Sequence, residues 1–466
     1  MSLDNHVLPF DPWHPIPDPP AASYSFSLSM QISPYEYTNW RDETMSWKTT
    51  CYLHAGLNPT DTLAIRGERV LDFLAKVCVT NMDNFEVGRI KHGVCVDEQG
   101  RIVVDGVMMR TAEDEVTTYW MSPLINHYVK NLYGEEFGVT GEVLTGKVFL
   151  FQIGGPKSLE VVEKATGENF HDMKHLRFRD STICGHPVRI CRVGMAGTLA
   201  YEVHGAFEDT YEIYSKLWEV GQPLGMRRLG SHCYCMNHGE NGYPQFGVHF
   251  AYPIPEDQEF LDYVRTTEDR LQNGIFVVEG KFMLDGSAAD NRDYFVHNPY
   301  ELGWGKMIKF DHDFIGREAC ERLSSDPSTR KIVTYEWNAD DVAEVFASQF
   351  RGDEEEPYKP IEGPSDTTFW LGGITHHDLV LDEAGNVIGT SFGRQNACYF
   401  RHMISIGCVD PAFAAEGTEV YVVWGNPGQR QKRICAKIAR YPYNNVMRSD
   451  STDVSNVRSE DSATTP

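Results

Sequence analysis

The sequence has no stretch of 18 or more consecutive apolar residues, so no segment of it reads as a membrane-spanning helix. Its opening, MSLDNHVLPFDPWHPIPDPP, carries acids and prolines without a basic region or an apolar h-region, and does not read as a signal peptide. Positive charge is scarce: 42 Lys and Arg stand against 67 Asp and Glu, a net charge of −25. Phosphate affinity comes mainly from clustered Lys and Arg, so this deficit argues against nucleic-acid or membrane-surface partners and leaves room only for a local cluster around a small anion. None of the eleven cysteines forms a CxxC pair and their number is odd, which points to reduced thiols in the cytoplasm. Cys233 and Cys235, flanking Tyr234, lack a second ligand pair at metal spacing and read as buried structural thiols. GxGxxG, GxxxxGK[ST] and HExxH are missing, and no internal repeat is visible.

What is present suits two or three globular domains. The 466 residues exceed the size of one core, and 41% hydrophobic residues with 12% aromatics suffice to fill several. TLAIRG (62–67) reads as a strand leading into an amphipathic helix over 67–78, with Val70, Phe73, Leu74 and Val77 at helical spacing. Residues 92–110 read as a hairpin turning at Asp97–Gly100. KVFLFQIGGPKSLEVVEKAT (147–166) reads as buried strand, Gly-Gly-Pro turn and helix, and 186–205 as two strands around a small-residue turn. After a linker at Ser324–Thr329 the segments 331–337, 378–393, 403–409 and 418–425 are strand-rich, which predicts a separate all-β domain over 330–445, barrel or sandwich. The expected organisation is two α/β lobes in 1–325, that β domain, and a disordered tail over 446–466. Residues 1–35 read as a proline-punctuated surface arm. The pair His376–His377 beside Asp378 reads as a solvent-exposed loop.

The segment LGSHCYCMNHGENGYP (229–244) is chemically the richest. Its composition should not give a plain amphipathic helix. It suits either a binding loop offering the Glu240 carboxylate and the Tyr234 phenol, or, by composition alone the better reading, a surface turn with satisfied polar groups.

Several segments, in order, resemble the glycine-cleavage T-protein family of tetrahydrofolate-dependent one-carbon transferases. They are FQIGGPKSLEVV (151–162), RVGMAGTLAYEV (192–203), GENGY (239–243) and NPYELGWGKMIKFDHDFIGREAC (298–320). RVGMAG, NPYELGWG with FDHDFIGRE, and WNADDVAEVFASQF (337–350) are similar to the branch that demethylates lignin-derived methoxybenzoates such as vanillate and syringate. The resemblance spans roughly residues 35–440. It implies an α+β fold, a three-domain cloverleaf with a C-terminal all-β barrel, threaded by folate.

By the same resemblance Glu240 grips the pterin through a bidentate carboxylate contact. Asp105 lies in the hairpin beside N5 with a catalytic role, against the plainer reading of a turn carboxylate before Gly106. Tyr234 matches the tyrosine of the O-demethylases. Trp304, Tyr300 and Met195 are expected to bind the cofactor, and Lys309 and Arg292 to meet its glutamate tail at a basic mouth near 292–309. Two departures stand out. HAGLNP (54–59) replaces the family's Asp-Val-Ser-His-Met stretch, and the arginine expected to meet a benzoate carboxylate falls at Met121 or a near neighbour. A buried carboxylate without its cation is costly, so the substrate expected is a neutral aromatic ether. The implied reaction is transfer of a methyl or methylene group from that ether to N5 of tetrahydrofolate without a metal. Demethylation of an amine or sulfonium, aminomethyl transfer, and a non-catalytic folate-binding regulator are the alternatives.

Overall fold

The structure is a computed structural model that describes residues 21–26, 32–194, 197–253, 257–266, 283–366 and 374–457. Three sheets dominate it. The first is antiparallel, with strands in the order Ile90–Val96, Ile102–Ala112, Glu115–Tyr119, Thr62–Arg66 and Thr140–Val143. Helix Val70–Val77 packs its four apolar positions into the core of this sheet, as their spacing predicts. The second sheet runs Phe178–Ile183, His186–Cys191, Ala200–Ala206, Val148–Gly154, Tyr52–His54 and Arg227–Arg228, antiparallel except for the last pair. Helices Ser158–Thr166 and Thr210–Gly221 cover its apolar face.

The third sheet closes on itself. Lys331–Trp337, Ile374–Leu381, Val387–Ala397, His402–Val409, Glu419–Trp424 and Lys432–Ala439 form a six-stranded barrel, sealed by pairing of Val380 and Leu381 with Val422 and Tyr421. The strand Met283–Asp285 adds to it in parallel, so a piece of chain from before the 324–329 linker belongs to the barrel sheet. Gly389–Gly393 (GTSFG) lies inside a barrel strand with Ser391 Oγ bonded to Ser405 Oγ, so it is not a nucleophile elbow. The fold is α+β, the cloverleaf with a C-terminal barrel.

Several expectations change. Residues 229–244 are not a surface turn: Ser231–Asn241 is a helix with every residue buried. It is held where the two α/β sheets, the N-terminal helix Trp40–Thr49 and the barrel meet. It is not amphipathic, as its composition predicted, because it has no solvent face. Gly242 ends it at φ +71°, with Tyr243 N donating to His238 O. The tail is ordered through residue 457. Leu199 N donates to Met447 O and Ser449 N to Gly197 O, and Val454 is buried in the second core. His376 and His377 are buried strand residues, not an exposed loop. His376 bridges Asp285 and Asp378 at 2.8 Å each. Of the N-terminal arm, Ser23–Phe26 and Ile32–Glu36 form a two-stranded ribbon.

Candidate active site

The site lies between polar residues on the facing sides of the two α/β sheets, against the buried helix. In the first sheet Asp105 is a mid-strand residue, not a turn carboxylate. Its Oδ1 accepts from the Tyr252 hydroxyl at 2.8 Å, and its Oδ2 lies 3.0 Å from His92 Nε2 on the neighbouring strand. The strand can approach its neighbours closely because the next residue is glycine: a Cβ on Gly106 would sit 2.1 Å from Tyr119 O. Trp304 packs edge-on against the His92 imidazole at 4.7 Å, and Tyr243 lies 5.4 Å from it.

In the second sheet the alternation of strands Val148–Gly154 and Ala200–Ala206 sorts side chains onto two faces. Phe149, Phe151, Ile153, Tyr201 and Val203 enter the core, while Gln152, Glu202 and His204 point the other way, with His54 paired in register to Gln152. Glu202 Oε2 lies 3.0 Å from His204 Nε2, and Glu202 Oε1 accepts from Gln152 Nε2 at 3.4 Å. His204 Nδ1 reaches the Tyr119 hydroxyl on the first sheet at 3.0 Å, tying the two sheets together.

The helix completes the arrangement. Tyr234 is 6% exposed and stacks on His54 at 4.3 Å and 7° between planes. His238 lies T-shaped to the same ring at 4.8 Å. The Tyr234 hydroxyl has no hydrogen-bond partner among the described residues. Burial, with Tyr52, Glu202 and Cys235 nearby, pushes its acidity well away from neutrality, so the phenol keeps its hydrogen. Burial also holds His238 down to about 4, a neutral imidazole with an unpartnered Nε2. Glu240 faces elsewhere. Its Oε2 accepts from Lys48 Nζ at 2.5 Å and Trp47 Nε1 at 3.1 Å, and its buried Oε1 has no partner.

A cavity of about 220 Å³ opens beside His92 and Tyr243, floored by Gly194, Gly197 and Asn241.

A family model described as the GCVT N-terminal domain matches residues 33–252. Sesamin methylene transferase of Sinomonas sp. is 41% identical over 441 residues, covering 93% of this chain and 95% of that protein. The chain belongs to the glycine-cleavage T-protein family. Syringate O-demethylase of Sphingobium sp. is 27% identical over 440 residues, covering 90% of this chain and 92% of the relative. Among solved structures, the glycine cleavage system aminomethyltransferase T from Bartonella henselae superposes with a TM-score of 0.62 at 16% identity, over 92% of this chain and 96% of that one. This T-protein homologue is an enzyme, a one-carbon group transferase.

Of the residues singled out in the sequence, the structure brings Asp105, Trp304 and Tyr234 into one neighbourhood through His92, Tyr243 and His238. Tyr300 does not join it: its ring packs on Gly305 and the first core. Met195 lies outside the described residues, although Gly194 and Gly197 beside it line the cavity. Lys309 is exposed and paired with Asp83, and Arg292 donates to Tyr252 O at 3.3 Å. Met121 is fully buried, close against Gly93 and Gly106, so no cation stands at that position. His54, set down as part of a departure from the family pattern, is the stacking partner of Tyr234. Glu202 was passed over, though a carboxylate in an otherwise apolar alternating strand (AYEVHG) is the signal that marks it.

Proposed function

We propose that this T-protein homologue moves a methyl or methylene group from a neutral aromatic ether to N5 of tetrahydrofolate. The observation that carries this reading is the Tyr234 hydroxyl, which makes no hydrogen bond among the described residues on a side chain only 6% exposed, with its ring held against His54 and His238. A donor left free at the edge of a packed site is available to a ligand oxygen. The oxygen of a departing phenol is such a ligand. Because the phenol of Tyr234 is a weaker acid than an ordinary tyrosine, it stabilises that oxygen by donating a hydrogen bond and does not hand over its proton outright.

The residues present fit a reduced folate. A pterin offers two parallel N–H donors, which suit a carboxylate whose charge is not already matched by a buried lysine or arginine. Glu240, the choice by resemblance, is matched by the buried ammonium of Lys48, with Trp47 on the same oxygen. Glu202 shares the polar sheet face with His54 beside Tyr234, and its contacts among the described residues are Gln152 and His204 with no lysine or arginine, so we assign the pterin edge to Glu202 and leave Glu240 as half of a buried ion pair. Bound tetrahydrofolate supplies the nucleophilic nitrogen. Asp105, fixed by Tyr252 and His92, takes the proton released there, and Trp304 walls the ring site and keeps water from it.

The burial of Met121, with no cation in its place, supports an uncharged donor. The likeness to a methylene transferase supports methylenedioxy aromatics ahead of methoxybenzoates. Mass spectrometry of the folate product after incubation with neutral and carboxylated methoxy- and methylenedioxy-aromatics, methylated amines and sulfonium compounds tests this. A one-carbon adduct from the neutral members supports the reading; adducts only from amines, sulfonium compounds or methoxybenzoates would refute it.

A further inference from the structure

The cavity beside His92 and Tyr243 is also lined by Lys91, His175 and Arg448. Arg448 and its neighbours come from the C-terminal segment, which crosses the second lobe and forms one wall. That segment is fixed by the backbone contacts of Leu199 and Ser449 and by Arg192, whose guanidinium donates to Ser449 O and Thr452 O.

Lys91 is half-buried and has no carboxylate within ion-pairing distance among the described residues; its ammonium donates only to Asn81 O and Oδ1. Burial, together with Arg89 and Lys309, pulls it down to about 8. His175 is held down to about 4 by burial and by Arg192 and Arg448, and so is a neutral hydrogen-bonding group. Arg448 donates to Asn241 O at 3.2 Å and Asn444 O at 3.4 Å, and its only carboxylate contacts among the described residues are long ones to the mostly exposed Asp450, 3.3 Å from Nε and 3.4 Å from Nη2. In a chain of net charge −25, an under-neutralised lysine and an arginine whose one carboxylate partner is long and exposed, lining the same cavity, are a local reversal of sign. Such a reversal favours a small anion at this point.

We propose that Lys91 and Arg448 form a carboxylate subsite for the glutamate tail of the cofactor, and that the C-terminal segment is the wall that makes it. The proposal rests on the tetrahydrofolate reading above. His175 adds a neutral hydrogen bond, and Asp450 is an internal competitor that a carboxylate ligand displaces from Arg448. This subsite replaces the basic mouth expected near 292–309, where Lys309 is already paired with Asp83.

The test measures binding of tetrahydrofolate and of its diamide, in which both tail carboxylates are blocked, to the full-length protein by calorimetry. The wild type should bind the diamide about tenfold or more weaker. In Lys91→Met and Arg448→Gln this ratio should shrink, and in Asp450→Asn it should grow. Asp450→Asn is an exposed change, so it keeps the test open if either cation variant folds poorly. Equal affinity of the wild type for both ligands would overturn the subsite while leaving the folate reading intact. Binding of neither would overturn both. A change in preference between carboxylated and neutral aryl ethers in Lys91→Met, with an unchanged tail ratio, would assign the cations to substrate and refute the proposal.

Discussion

Replacing Tyr234 by phenylalanine removes one oxygen atom from the centre of the site. In the folded protein that hydroxyl makes no hydrogen bond among the described residues, and its ring is held by His54 and His238 rather than by its oxygen. Stability should therefore change by less than about 1 kcal/mol, since no hydrogen bond within the protein is lost. Catalysis should respond very differently. Deleting one preorganised donor to a developing oxyanion costs on the order of 2.7–4 kcal/mol, or about 10²–10³ in rate. Single-turnover formation of the one-carbon folate, followed by mass spectrometry at saturating ether, reads this loss directly. The penalty should shrink as the leaving phenol is made more acidic with nitro substituents, because a better leaving group needs the hydrogen bond less. A Tyr234→Phe variant that turns over within about threefold of wild type would refute the assigned role. So would a penalty independent of leaving-group acidity, which would point to a general packing effect.

Other outcomes follow from the same contacts. Glu202→Gln should weaken tetrahydrofolate binding by about 10- to 100-fold, as expected for a lost charge-assisted contact, while Glu240→Gln should leave calorimetric affinity nearly unchanged. The reverse pattern would return the pterin edge to Glu240. Lys48→Met should destabilise the protein by about 3–5 kcal/mol in denaturant unfolding, since it strands Glu240 as an unpaired buried charge, and adding Glu240→Gln should recover much of the loss. Burial alone would lower the pKa of His376, but Asp378, Asp366 and Asp285 outweigh it and push it up to about 10 from 6.5. A value raised on folding stabilises fully below the unfolded value and is lost as pH rises through the folded one. Asp285 is held below its ordinary 3.8, so its share is lost only in acid. Stability should thus fall between about pH 6.5 and 10, and His376→Gln should flatten that slope; an equal slope in both proteins would rule the network out as its source.

Much of this was legible in the residues because alternation and helical spacing state which face is apolar. Five of the six barrel strands, the hairpin bearing Asp105 and the helix Val70–Val77 follow directly from such patterns, while Lys432–Ala439, with Lys and Arg among its residues, does not. Ser231–Asn241 did not, because Ser, His, Asn and Gly are weak helix formers and the segment has no apolar stripe. It is helical because lobes from three parts of the chain enclose it, which no local pattern records. The same holds for His376, where exposure was inferred from polarity, yet Asp285, some ninety residues earlier in the chain, supplies its partner. The end of the chain was misjudged for a related reason. Residues 446–457 are poor in aliphatics, but they are held by backbone hydrogen bonds to the second lobe and by one buried valine, Val454. The order of motifs along the chain carried the family and the place of Asp105 and Tyr234. Glu202 and Glu240 could be told apart only by seeing which of them Lys48 already holds.

On the proposed function, the carbon bound to an aromatic oxygen passes to the ring nitrogen of the cofactor in this site. A methylenedioxybenzene labelled with carbon-13 at its bridging carbon, incubated with the protein and tetrahydrofolate and followed by carbon-13 NMR, tests it most directly. The label should leave the acetal region and appear on folate nitrogen as a catechol accumulates in equal amount. A label that stays on the aromatic compound, or that is released as free formaldehyde at the same rate without folate, would contradict it.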